Sequence, residues 1–73
     1  MHIGHAIRNE LKRQGRTVVW FATELHCDRS SAYDIFNRSS INTEQLSRIC
    51  KLLNHNFFDD LQHEVQNNLQ EKV

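Results

Sequence analysis

Between Thr17 and Arg38 the chain reads TVVWFATELHCDRSSAYDIFNR, and no other stretch restricts its fold as strongly. Apolar residues fall at Phe21, Leu25, Cys27, Ala32 and Ile35, the spacing of two short helices with a tight turn between them. Ala22 lies beside Phe21, and so small a side chain lets another helix come close. The turn is His26–Cys27. His26 is expected to take a positive φ, which glycine adopts readily and other residues only at a cost. Asp28 then caps a second helix. Ala32, Ile35 and Phe36 face inward from it. Its other side shows Arg29, Ser30, Ser31, Tyr33, Asp34 and Asn37. The pair thus has one apolar side for a core and one polar side free to face a partner.

Thr17 can cap the first of these helices. Val18 and Val19 are β-branched and locally favour a strand. Val18, Phe21, Ala22 and Leu25 nevertheless share one helical face, and that periodicity decides for a helix. Trp20 lies off the face. It is expected to cover a seam with a neighbouring helix, the alternative being a contact with another chain.

The flanking segments extend the same pattern. Ile3, Ile7 and Leu11 recur every four residues with Ala6 beside them, which makes one helical stripe that stops at Gly15. Asn42 followed by Gln45 opens another helix, whose apolar residues are Leu46, Ile49, Cys50 and Leu53. Ile41 is placed to staple its start, and Asn54 supplies a left-handed stop. Asn56 with Asp59 repeats the capping pattern ahead of Phe57, Phe58, Leu61, Val65 and Leu69. The expected fold is all-α: five helices over 2–14, 18–25, 29–37, 43–53 and 57–69, in one domain spanning 1–73. Beyond Val65 the polar tail is expected to fray.

Composition narrows the functional classes. The chain has 73 residues, no proline and two glycines. A core this small leaves little room for a substrate cleft. No glycine-rich phosphate loop, nucleophile elbow or carboxylate pair is present, so no enzyme is expected. Histidines 2, 5, 26 and 63 are scattered and read as solvated surface residues, so neither metal nor cofactor is expected. Cys27 and Cys50 fall at apolar helical positions and read as reduced thiols of a cytoplasmic protein. No run suits a membrane span and no leader precedes the first helix. The net charge is zero, yet residues 1–38 carry six Lys/Arg against four acids, and residues 39–73 carry three against five. The basic excess lies with the two-helix unit.

In this order the segments resemble the lambda-repressor-like, Xre-type (Xre/Cro-type) helix-turn-helix proteins. The resemblance covers nearly all of residues 3–65. It rests on the first stripe ending at Gly15, on Phe21-Ala22, on Asp28-Arg29-Ser30 opening the third helix, and on the segment LNHNFFDDL. It implies a compact five-helix lambda-repressor-like bundle in which helices 2 and 3 form the helix-turn-helix. It also implies a transcriptional regulator that binds double-stranded DNA sequence-specifically, with the third helix in the major groove. The base-reading positions would be Arg29, Ser30, Tyr33 and Asp34. The phosphate-contacting positions would be Thr17, Val18 (through its amide), Ser31, Asn37, Arg38, Ser39 and Ser40.

The residue chemistry supports most of these roles. An arginine at a helix start can hold guanine O6 and N7 together, and a free helix N-terminus suits a phosphate. Asp34 can accept from cytosine N4 but repels phosphates, or it can orient Arg29 or Arg38. Three positions depart from the family pattern. His26 replaces a turn glycine. Ala32 replaces a larger branched residue, so Tyr33, Phe36 or Trp20 must fill volume. Leu11 and Phe36 stand where the family often has a buried Arg–Glu pair, an exchange that is often neutral or stabilising.

A homodimer, preformed or formed only on DNA, is expected through the fifth helix. Phe58, Val65 and Leu69 are its candidate contacts, while Phe57 and Leu61 close the monomer core. The alternative function is a protein-interaction module, an adaptor or antitoxin-like partner on the same fold.

Overall fold

A computed structural model describes residues 1–71, with side chains through residue 69. Lys72 and Val73, the end of the polar tail, lie outside the described residues. Five helices follow in order: α1 Ile3–Arg13, α2 Val18–Glu24, α3 Arg29–Phe36, α4 Thr43–Leu53 and α5 Phe57–Glu71. The described residues contain no strand. No helix among them is long and apolar enough to cross a membrane.

Short-range chemistry sets most helix ends. Thr17, Asp28 and Asn42 each stand in extended backbone, and their side chains accept the amide of the residue three further on, Trp20, Ser31 and Gln45. These bonds satisfy amides that have no partner within the helix. The Asn56 side-chain oxygen does the same for Phe58 and Asp59 at the start of α5. At the other ends, Gly15, His26 and Asn54 have φ of 70°, 57° and 52°. After each, the next amide reaches back five residues: Arg16 to Leu11, Cys27 to Ala22, and His55 to Cys50, at 3.0–3.1 Å. Three left-handed residues thus end α1, α2 and α4 by the same device. Only one of them is glycine.

Two expectations are corrected. The first concerns His2, which is half-buried rather than a solvated surface residue. Its ring caps α1 by accepting the His5 amide, and it stacks on the His5 ring at 3.7 Å. The second concerns the tail, which continues as helix to Glu71 instead of fraying at Val65. Residues 65–69 of that extension are all exposed, so only helical bonding holds them.

The core joins Ile3, Ile7 and Leu11 of α1 to Phe21, Ala22, Ala32, Ile35 and Phe36 of the α2–α3 pair. Leu46, Ile49 and Leu53 of α4 and Phe57 of α5 complete it. Phe36, one turn beyond Ala32 on the inward side of α3, is buried and its ring meets Phe21 at 5.3 Å. Tyr33 stays outside, 47 % exposed, with its edge against Phe36. Trp20 is half-buried on the core, with the Arg16 guanidinium 4.4 Å above its ring. Cys27 and Cys50 are both free and half-buried. Burial, and secondarily the charge of Asp28, pushes the Cys27 thiol above its ordinary value.

Two contacts between distant segments fix how the helices sit. The Gly4 amide donates to the Arg38 carbonyl at 2.9 Å, and the Ile3 amide to the Ser39 carbonyl at 3.3 Å. The start of α1 thereby holds the loop that follows α3. At its other end, Glu10 is almost wholly buried yet charged. Arg13 Nε donates to both of its oxygens at 2.9 and 3.0 Å. Gln14 Nε2 bridges Glu10 (2.7 Å) and the Leu53 carbonyl (2.6 Å). The His55 ring stands between Glu10 (3.7 Å) and Asp60 (2.7 Å). The network ties α1 to the α4–α5 junction.

The Arg13 hydrogen bonds are the main reason the Glu10 carboxyl is held at about 2, against an ordinary 4.5. Burial opposes them, and Gln14, the Arg13 charge and His55 add to them. The unfolded chain takes up the proton first as pH falls. The stability contributed by Glu10 is therefore complete above about pH 4.5 and is lost as pH drops toward 2. Arg13 is 69 % exposed, so water screens its share. We expect Glu10→Gln to cost on the order of 1–2 kcal/mol at pH 7, with the gap to wild type closing toward pH 2.5. Urea midpoints of the two proteins across that range measure it. A gap independent of pH would mean that the charge of Glu10 contributes nothing.

Candidate nucleic-acid interface

The α3 helix is held by one side only. Ala32, Ile35 and Phe36 are buried, while Arg29, Ser30, Ser31, Tyr33, Asp34 and Asn37 are exposed. The reason is local: the inward residues recur at three- and four-residue intervals, and everything between them is polar or amphipathic. Arg38, Ser39 and Ser40 continue the exposed surface past the helix end. Thr17 is exposed at the start of α2, and Val18 is half-buried beside it. Every candidate base-reading residue therefore lies on one open helix face, with the candidate phosphate contacts at the margins.

Several side chains on this face already have partners. Arg38 donates through Nε (3.1 Å) and Nη2 (2.9 Å) to a single oxygen of Asp34, Oδ2. Of the two partners considered for Asp34, Arg38 is the one it takes. An exposed pair one helical turn apart contributes only about 0.3–0.5 kcal/mol to folding. Its importance lies in what it does to the surface: it neutralises the one acid in the middle of the exposed α3 face. The α3 N-terminus is closed to an anion, because the Asp28 carboxylate accepts the Ser31 amide at 2.7 Å. That bond holds the Asp28 carboxyl below its usual range. The start of α2 is different. Its cap is a neutral threonine, and the Val18 amide precedes the first intrahelical bond, which runs from Phe21 to Thr17.

The sequence reading missed Arg8. It is half-buried on α1, and its guanidinium lies 5.1 Å from the Phe36 ring centre and 5.7 Å from that of Tyr33. A cation over these rings braces Tyr33 from the side. No local pattern could reveal it, because the two residues are 25 positions apart. With Arg8 beside Tyr33, this face and its ends carry Arg8, Arg29 and Arg38 against Asp28 and Asp34. The acids of α5 belong to another part of the fold.

The expected dimer contacts Phe58, Val65 and Leu69 are 39 %, 56 % and 59 % exposed, and they share one stripe of α5 with half-buried Leu61. Phe57 is buried in the monomer core. Phe58 and Leu61 also border an apolar groove of about 240 Å³ with Met1, Ile3 and Ile41. Among the described residues, no three of His, Cys, Asp and Glu are arranged to hold a metal ion. Comparison with known proteins finds no matching family, and no curated protein or solved structure with significant similarity.

Proposed function

We propose that this chain is a sequence-specific double-stranded DNA-binding transcriptional regulator of the lambda-repressor-like, Xre type that its sequence resembles. In this reading α2 and α3 are the helix-turn-helix and α3 enters the major groove. One observation carries it: α3 is gripped by a single apolar side, while the opposite side offers Arg29, Ser30, Tyr33 and Asp34 to a partner, framed by arginines. Arg29, at the first position of the helix, takes guanine O6 and N7. Tyr33, braced by Arg8, lays its ring against a thymine methyl. Thr17, the Val18 amide, Ser31, Asn37, Arg38, Ser39 and Ser40 meet phosphates and set the register. Two copies joined along the α5 stripe act on a two-fold site, in the cytoplasm. Neither catalysis nor a cofactor enters this reading.

Selection from a random duplex pool at low salt tests it. Wild-type protein is expected to enrich one motif, and its affinity is expected to fall steeply with salt because several arginines displace counterions. Arg29→Ala is expected to lose about 5- to 150-fold discrimination at one guanine while keeping the fold, since Arg29 is exposed. A pool from which wild-type protein enriches nothing sinks the DNA reading. The net charge of zero and the exposed Tyr33 ring on the α3 face favour a second reading, a protein-interaction module whose α3 contacts protein. A stable complex with a co-purifying protein, abolished by substituting Trp20 or Tyr33, would support that reading instead.

A further inference from the structure

Asp34 is the residue that the proposed interface explains least, and its geometry suggests a use. Both Arg38 contacts fall on Oδ2, which leaves Oδ1 with its lone pairs unengaged on a side chain 63 % exposed. Arg38 uses two of its five N–H groups in the pair, and its side chain is 51 % exposed. The result is a neutral unit with one oriented acceptor and spare donors beside it.

Duplex DNA offers such an acceptor very little. Phosphate and deoxyribose present no donor. In the major groove only cytosine N4 and adenine N6 carry N–H groups. Adenine N6 lies next to N7, whose lone pair opposes that of a carboxylate. Guanine and thymine show only acceptors at the groove edge. Cytosine N4 has no adjacent acceptor on its own ring, so a single carboxylate oxygen can meet it without an opposing lone pair. Against guanine or thymine a carboxylate would be desolvated without a partner, and against adenine the N6 donor comes with the opposing N7 lone pair, so rejection contributes as much as attraction.

We propose that the Asp34–Arg38 pair is a specificity element that selects a C·G base pair at one position of each half-site, Asp34 accepting from cytosine N4. Arg38 fixes the carboxylate and removes its repulsion for the backbone. The inference rests on the DNA-binding reading and deepens it.

Pool selection with wild type, Asp34→Asn, Asp34→Ala, Arg38→Ala and the double variant Asp34→Ala/Arg38→Ala tests it. Both residues are exposed, and circular dichroism checks that each variant folds. The wild-type motif is expected to hold a cytosine whose preference falls at least about tenfold in Asp34→Ala, with the other positions unchanged. In Asp34→Asn that position is expected to shift toward adenine, whose N6 and N7 match an amide. Arg38→Ala is expected to weaken binding at every site, because it exposes the carboxylate charge to the phosphates. Adding Asp34→Ala to it is expected to recover part of the loss. A wild-type motif that Asp34→Asn and Asp34→Ala leave unchanged overturns this proposal alone. The absence of any wild-type motif overturns the DNA reading and this proposal with it.

Discussion

Gly4→Ala is expected to cost the fold about 3 kcal/mol, although it places a better helix former in α1. An added Cβ would lie 2.3 Å from the Phe36 carbonyl oxygen, 2.5 Å from that of Ile35 and 2.6 Å from the Phe36 carbonyl carbon. All three are backbone atoms, so no side chain can rotate away to make room. The α1 helix must retreat from the end of α3, and the Gly4–Arg38 and Ile3–Ser39 hydrogen bonds stretch with it. Gly15→Ala is the informative control. Nothing lies near a Cβ there, and the cost is only that of φ +70°, about 1 kcal/mol. Chemical denaturation of both variants measures the difference. Equal effects at the two glycines would refute the close approach of α1 to α3. In the DNA reading Gly4→Ala also disturbs binding, because the same contacts hold the 37–40 loop.

Phe21→Ala is expected to remove about 3–5 kcal/mol. Phe21 is completely buried and is one of the largest side chains enclosed in the core. Its ring lies 5.3 Å from Phe36 at an interplanar angle of 31°, so the variant loses apolar burial and also opens a void beside a second aromatic. A domain of this size has a total stability of only about 4–11 kcal/mol. At least about a quarter of it therefore depends on this side chain, and a fall in melting temperature of roughly 12–40 °C is the expected result. Phe21→Leu, which keeps most of the volume, is expected to lose only about 1–2 kcal/mol. If Phe21→Ala melts like wild type, the α2–α3 pair is not held by the core described here.

The two substitutions differ in how visible they are in the sequence. Phe21 is legible because it lies on a four-residue stripe with Val18, Ala22 and Leu25. Gly4 is not, since nothing within four residues of it signals a crossing helix end. Glu10 was half legible. Its spacing to Arg13 and Gln14 suits a pair along one helix, but His55, and the Leu53 carbonyl to which Gln14 also donates, lie some 40 residues away. Arg8 and Tyr33 are hidden in the same way. The exposed side of α3 was readable as a set, from Arg29 to Asn37. Which of its members are already engaged was not: Asp34 had two candidate arginines, and only the α3 end geometry brings Arg38 onto it.

The sequence alone determined five helices, the caps of α2 to α5, the left-handed ends at Gly15, His26 and Asn54, and most of the apolar residues that face inward. All of these depend on interactions within about five residues, and a short window of chain contains every group involved. The tertiary structure decided the rest: the crowding at Gly4, the loop carbonyls that close the start of α1, the charged Glu10 inside the bundle, and the bracing of Tyr33 by Arg8. Each arises where two helices far apart in the chain meet. The distance and angle of that meeting come from the packing of the whole core, and no local pattern of residues contains them.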